Sequence, residues 1–306
     1  MPDADHTPAR PTLRQYLRDA HGLSASDQKR VMQVGRVRLR GVPTSDGGRQ
    51  IDPETVAFLT HGPRLRPGRD LAILHQDPDV VVVWKPAELL SVPARSHPEG
   101  HLSAIGLVGR LLGRVYPVHR LDRDTTGVMV FARTPAAQDA LKQQLEARTM
   151  QRRYLALLAR DIGDTPRRID MCLIRDRGDT RRGAVPNAEA PPDALAAVTH
   201  LRRLERVSGK ACLVAASLES GRTHQVRLHA EAIGHPLLGD TLYAPMAVAR
   251  LSPRLALHAA VLAFEHPTSG EVLRFETELA DDLEQLRRSL LHNDADPRLP
   301  NRPSRP

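Results

Sequence analysis

His119-Arg120-Leu121-Asp122-Arg123-Asp124-Thr125-Thr126-Gly127 runs directly into Val128-Met129-Val130-Phe131-Ala132. The second half is a short, continuous apolar run, which fits a strand covered on both faces. The first half is a polar island at the mouth of that strand, so it sets charged side chains at the rim of a core. Asp122 lies between Arg120 and Arg123. Nearby cations favour the ionised form of a carboxyl group, the state a carboxylate nucleophile requires. The competing reading is an Asx-type loop in which Asp122 or Asp124 holds backbone amides.

Further strands are expected on either side of this stretch: Asp79 to Trp84, Tyr154 to Leu158, Cys212 to Leu218, Val226 to His229 and Leu257 to Phe264. Thr134-Pro135 reads as a cap and first-turn proline, and Leu141 and Leu145 follow at helical spacing. A second helix is expected near Asp281 to Leu291. No βαβ unit repeats and no glycine-rich nucleotide loop appears, so the class is α+β with a mainly antiparallel mixed central sheet.

Three more polar segments adjoin these strands. In Ser220-Gly221-Arg222-Thr223-His224-Gln225-Val226-Arg227-Leu228-His229 a strand would put Arg222, His224 and Val226 on one face and Thr223, Gln225 and Arg227 on the other. On such a strand His224 and His229 do not converge, and no HExxH spacing exists, so no metal is expected. Gly234-His235-Pro236-Leu237-Leu238-Gly239-Asp240-Thr241-Leu242-Tyr243 reads as a fixed loop. Arg152-Arg153-Tyr154-Leu155-Ala156-Leu157 reads as a strand carrying a tyrosine hydroxyl into a core.

The whole chain has 306 residues, enough for one large domain or two ordinary ones, with 41% hydrophobic and 26% charged residues, the balance of a globular protein. Its net charge of +8 favours a polyanionic partner. Twelve Lys/Arg face five Asp/Glu between Arg10 and Arg69, so +7 of that charge sits in the N-terminal part. The two cysteines, Cys172 and Cys212, have no CxxC partner, which excludes a disulfide framework and a cysteine zinc site. Met1 to Pro11 holds no apolar run and no window reaches the length of a membrane span, so a cytoplasmic protein is expected.

In the basic segment Leu13, Leu17 and Ala20 have helical spacing, and Ser24 or Ser26 can cap a second helix from Asp27 to Val34. Val37 and Leu39 then alternate with Arg36, Arg38 and Arg40, giving a strand with one apolar and one cationic face. Such a row of guanidinium groups can track phosphates; the alternative is a solvated surface strand. The order resembles the small RNA-binding module named after ribosomal protein S-four, over residues 12 to 62. His61-Gly62-Pro63 through Pro67-Gly68 reads as a linker. The expected organisation is a disordered tail at 1–11, the S-four-like domain at 12–68, a catalytic domain at 69–291 and a disordered, Pro-rich tail at 292–306.

Taken in order, HRLDRDTTG, RRYLAL, GRTHQVRLH and GHPLLGDTLY closely resemble the RluA family of pseudouridine synthases, from about Asp79 to Leu286. The resemblance implies the pseudouridine synthase fold and isomerisation of uridine to pseudouridine in structured RNA, ribosomal RNA first and tRNA second. It implies no metal and no organic cofactor; a monomer is the default. By the same resemblance Asp122 matches the catalytic aspartate, Tyr154 the active-site tyrosine and Arg222 the arginine paired with the aspartate. His119, Arg120, Thr126, His224 and Gln225 are the expected RNA contacts in the catalytic domain, and Arg36, Arg38 and Arg40 those outside it. Arg120 is the candidate to brace the space a flipped base leaves. The chain departs from the family pattern at Thr126, usually Ser, at Trp84, at Glu88, often Gly, and at Ala159-Arg160, which replaces a closing Gly. Two rivals stand beside this reading, a non-enzymatic RNA-binding protein and a hydrolase using Asp122 with His119 or His224.

Overall fold

The computed structural model describes residues 10–33, 37–39, 42–44, 46–58, 71–93 and 103–294. The chain divides into two compact units, 1–65 and 66–306.

In the first unit, α1 (Leu13–His21) starts at a capping box: Thr12 accepts from the Gln15 amide while the Gln15 side chain accepts from the Thr12 amide. It ends at Gly22, whose φ of 66° is the left-handed stop glycine supplies cheaply. The Ser24 hydroxyl accepts from the Asp27 amide ahead of α2 (Ala25–Gln33). Three short strands follow, β1 (Val37–Leu39), β2 (Val42–Pro43) and β3 (Val56–Phe58), in the antiparallel order β2-β1-β3. Leu13, Leu17, Val31, Met32, Val37 and Ile51 form the core. The expected arginine strand is thus β1 for Val37 to Leu39, including the backbone of Arg38; Arg36 and Arg40 lie outside the described residues.

The second unit runs β4 (Ala72–Gln76), β5 (Val80–Lys85), α3 (Ala104–Leu112), β6 (Tyr116–Pro117), β7 (Thr126–Ala132), α4 (Pro135–Glu146), β8 (Gln151–Ala159), β9 (Arg167–Ile174), β10 (Gly183–Val185), β11 (Leu195–Ser208), β12 (Ala211–Leu218), α5 (Gln225–Ala232), α6 (Met246–Ala249), β13 (Leu257–Glu265), β14 (Val272–Glu276) and α7 (Asp281–Asp294). One sheet takes the order β10-β9-β11-β12-β8-β13-β7-β5-β4, with β14 on β13 and β6 on β7. Among the described strands β13 and β7 pair in parallel and the other pairs of this sheet are antiparallel. The expected mixed, mainly antiparallel α+β class is what the chain adopts.

Both faces of this sheet are covered, which is why its central strands read as unbroken apolar runs. On one face Val81, Val83, Met129, Phe131, Tyr154, Ala156 and Leu158 pack with Val108 of α3 and Val226 of α5. On the other, Val80, Val82, Val128 and Val130 pack with Ala137 and Leu141 of α4, and Leu157 packs with Leu283 of α7. The parallel register of β7 and β13 needs Gly127, since a Cβ there would strike the carbonyl of Ala259.

Three expectations need correction. Val226 to His229 is not a strand but the body of α5. Residues Gln225 to Ala230 are all buried, so no exposed face interrupts the run to reveal the helical period. The last helix continues to Asp294, three residues into the expected tail. Pro11 belongs to the folded unit, its carbonyl accepting from the Ile51 amide. Residues 1–9 and 295–306 lie outside the described set.

Candidate active site

Asp122 sits in a tight loop before β7, and that loop is held from two sides. Ser91 Oγ accepts from the Leu121 amide at 2.9 Å and donates to the Leu121 carbonyl at 2.7 Å. Lys85, fully buried at the end of β5, donates to the carbonyls of Pro86, Leu89 and Arg123 at 2.7, 2.8 and 2.9 Å. Three acceptors use all three hydrogens of an ammonium group. Burial lowers the Lys85 pKa to about 7, against the opposing charges of Asp124 and Asp122. The three carbonyl contacts suit the ammonium form, which alone has three hydrogens to donate.

The Asp122 carboxylate, 17% exposed, lies 3.5 Å from Arg227 Nη1 and 3.9 Å from His224 Nε2. Arg227, on α5, faces Asp240 in a two-pronged bond of 2.8 and 2.7 Å. Asp240 in turn accepts from the Leu242 and Tyr243 amides, so the glycine-bounded loop foreseen in the sequence is the clamp that aims Arg227. Burial pulls the Arg227 pKa down, but Asp240 and Asp122 outweigh it and the net shift is upward. The Arg227 guanidinium also stacks 4.9 Å from the Tyr243 ring centre. His224 enters α5 with a left-handed φ of 59° and bonds Tyr243 Oη through Nδ1 at 2.7 Å. Burial lowers its pKa despite Asp122, which leaves it neutral at pH 7.

These groups open on a cavity of about 510 Å³, lined also by Tyr154, His119, Thr125 and Arg152. Tyr154 is 8% exposed, and burial raises its pKa, with Asp122 adding to the rise and Arg152 opposing it. It therefore stands as a hydroxyl, not a phenolate. Burial, assisted by Arg152, lowers the His119 pKa to about 3, and its Nε2 accepts from the Val130 amide. A neutral imidazole with that lone pair engaged braces β7. The Thr125 hydroxyl is buried with no hydrogen-bond partner among the described residues.

The expected site residues are partly reassigned. Asp122, Tyr154, His119, Arg120, His224, Gln225 and Arg222 all line the cavity. Arg222, however, is exposed and is not the partner of Asp122; once the segment is helical, the inward-facing cation is Arg227. Thr126 is turned away from the cavity, bonding His258 Nδ1 at 2.8 Å, and Thr125 takes its place on the wall. The Gln225 amide group is consumed by Val198, Thr199, Ser220 and the Arg222 amide, so it pins α5 to β11 and has no donor left for RNA. Lys85 was given no role from the sequence, Arg227 was only the alternative to Arg222, and Asp240 and Tyr243 lay in the expected fixed loop. The signal for the last three was the pairing of GRTHQVR with GDTLY, legible only with α5 drawn as a helix.

Residues 79–232 match the family described as RNA pseudouridylate synthase. The chain is 37% identical over 220 residues to the dual-specificity RNA pseudouridine synthase RluA of Pasteurella multocida, covering 72% of this chain and 97% of that protein. It is 38% identical over 231 residues to the ribosomal large subunit pseudouridine synthase D of Neisseria meningitidis serogroup A, covering 71% of this chain and 60% of that protein. Among solved structures, human RNA pseudouridylate synthase domain containing 1 superposes with a TM-score of 0.58 at 24% identity, over 74% of this chain and 97% of that chain.

Proposed function

The chain belongs to the RNA pseudouridine synthases, in the RluA family, and from that premise we propose that Asp122, Tyr154 and Arg227 isomerise a uridine flipped out of structured RNA. Ribosomal RNA is the preferred target and tRNA the second, in keeping with the names its relatives carry. The observation that carries the assignment is the sheltered Asp122 carboxylate beside a guanidinium that is itself neutralised by Asp240.

A stacked base cannot turn over in place, so the nucleotide is extruded at a cost of about a few kcal/mol. Arg120, exposed at the cavity mouth, is positioned to stack in the gap. Inside, the glycosidic bond breaks, uracil rotates and a ring carbon rejoins the sugar. Asp122 starts this sequence, attacking the sugar or ring or taking a sugar proton. Arg227 orients it. The protonated Tyr154 packs against the base and hydrogen-bonds it, with the apolar wall of Leu121, Val226 and Leu257 excluding water. The reading assigns the chemistry to side chains of a single chain acting in the cytoplasm, without metal or organic cofactor. Among the described residues no helix is long and apolar enough to cross a membrane.

The 12–68 segment serves in this reading as an S-four-like RNA-binding domain. Neutralising Arg36, Arg38 and Arg40 together is expected to weaken RNA binding and flatten its salt dependence by about two to three in log–log slope, with kcat unchanged. An unaltered slope would make that strand plain surface.

The central test is Asp122→Asn, assayed on transcribed ribosomal RNA and tRNA by mass-silent pseudouridine formation. Turnover is expected to vanish while RNA affinity holds. Wild-type rates in the variant would remove Asp122 from the chemistry. Release of free uracil would instead mark a hydrolase, and binding without any rearrangement a non-catalytic RNA binder.

A further inference from the structure

Arg120, Glu146 and Arg222 at the cavity rim are exposed to solvent; the other charged side chains of its wall are paired among the described residues, with one exception. Asp122 has Arg227, Arg227 has Asp240, and Arg148 has Glu219 at 3.0 Å. Arg152 also lines the cavity, yet no carboxylate among the described residues lies within ion-pair distance of it, and its Nε is buried without a hydrogen-bond partner. A guanidinium held in this way is costly unless an anion arrives to complete it. Its placement is also specific. A side chain at Gly221 would land on Arg152 Nη1, so the guanidinium fills the space that the missing Cβ leaves in the β12–α5 turn.

Arg152 lies two residues before Tyr154 on β8 and on the same face, a separation of about 6.7 Å along the strand. That is the reach from a pyrimidine ring to the phosphate of its own nucleotide. Beyond it the surface continues into a smaller hollow of about 240 Å³ lined by Arg148, Arg152, Arg153 and Arg274, where Arg148 is paired with Glu219, and Arg153 and Arg274 with Glu276, which leaves Arg152 as the arginine of that wall without a carboxylate among the described residues.

We propose that Arg152 is the phosphate-binding residue of the cavity, taking a non-bridging oxygen of the phosphate on the 5′ side of the flipped uridine, with Gly221 making room for its guanidinium. The assignment rests on the reading of this cavity as the uridine site. It makes Arg152 a residue that grips the nucleotide while Asp122 and Tyr154 act on it.

The test uses the full-length enzyme and the shortest single-uridine RNA stem-loop it binds, with wild type, Arg152→Gln and Gly221→Ala compared in steady-state and binding assays. Arg152→Gln is expected to raise KM about tenfold or more, leave kcat within about threefold and lower the salt slope by about 0.7. Gly221→Ala displaces only the end of a flexible side chain, so it should keep the wild-type melting temperature and shift KM the same way. Replacing the 5′ phosphate with a neutral methylphosphonate should weaken binding to wild type and cost Arg152→Gln nothing more. Two outcomes overturn the proposal. One is an unchanged KM and slope in Arg152→Gln. The other is a fall in kcat with the methylphosphonate penalty intact, which would assign the guanidinium to the uracil. If wild type forms no pseudouridine, the proposed chemistry fails by itself, while the binding comparison still reads the phosphate contact.

Discussion

Asp122 meets Arg227, not Arg222, and the proposed role of this carboxylate rests on that geometry. Arg227 has a planar fork with two prongs on Asp240 and a third nitrogen free for Asp122, an arrangement one ammonium cannot copy. Arg227→Lys is therefore expected to cut kcat by about 100-fold, equivalent to about 2.7 kcal/mol in the barrier. Arg222→Lys, at an exposed position, should stay within about threefold. Steady-state kinetics of the two variants side by side decides the matter, and the reverse ranking would return the role to Arg222. Asp122, Tyr154 and the cavity position of His224 were legible from the sequence because polar residues beside apolar strands are conspicuous. Lys85 was not, because a lysine at the end of a valine run looks like a solvated strand terminus until its three carbonyl acceptors are seen.

Among the elements, two departures from the family pattern acquire a physical meaning. By the resemblance, Glu88 stands where the family often has glycine and Arg160 belongs to the Ala159-Arg160 pair that replaces its closing glycine; their φ angles are 62° and 65°. The left-handed region costs a residue with a Cβ about 1–2 kcal/mol, and glycine recovers most of it less its greater freedom when unfolded. Both side chains are exposed, so Glu88→Gly and Arg160→Gly should each stabilise the fold by up to about 1 kcal/mol, read as a higher urea midpoint at constant m. A loss of stability in either would mean that its side chain contributes more than its backbone strain costs. The opposite error occurred at α5, where burial on nearly every side hid the helix and the period-two reading took its place. Strands β5, β7, β8, β12 and β13 were all visible as apolar runs. β9, β11 and β14 were not, since their charged outer faces break the run.

At the scale of the whole molecule, the cost of the buried polar network should appear as acid sensitivity. His229 and His258 are fully buried, and burial lowers their pKa values to about 4 and about 3. The unfolded chain binds protons at these positions near pH 6.5, whereas the folded chain refuses them until far lower pH. Stability is therefore full above about pH 6.5 and falls as pH drops toward 4, by at most about 2.7 kcal/mol per pH unit for the two together. Denaturant titrations at pH 7 and pH 5 should show the fall, and His258→Asn should reduce it. A flat profile over that range would contradict the neutral, buried state of these rings. By itself the sequence determined the α+β class, the basic N-terminal segment, the family and the polar loop that carries Asp122, because each depends on residue type and short-range pattern. Which guanidinium meets Asp122, which threonine lines the cavity and which arginine has its Nε buried without a partner among the described residues were decided by tertiary structure alone. Those outcomes depend on how β7, β8, α5 and the Asp240 loop come together, and contacts between residues a hundred positions apart leave no mark on local periodicity.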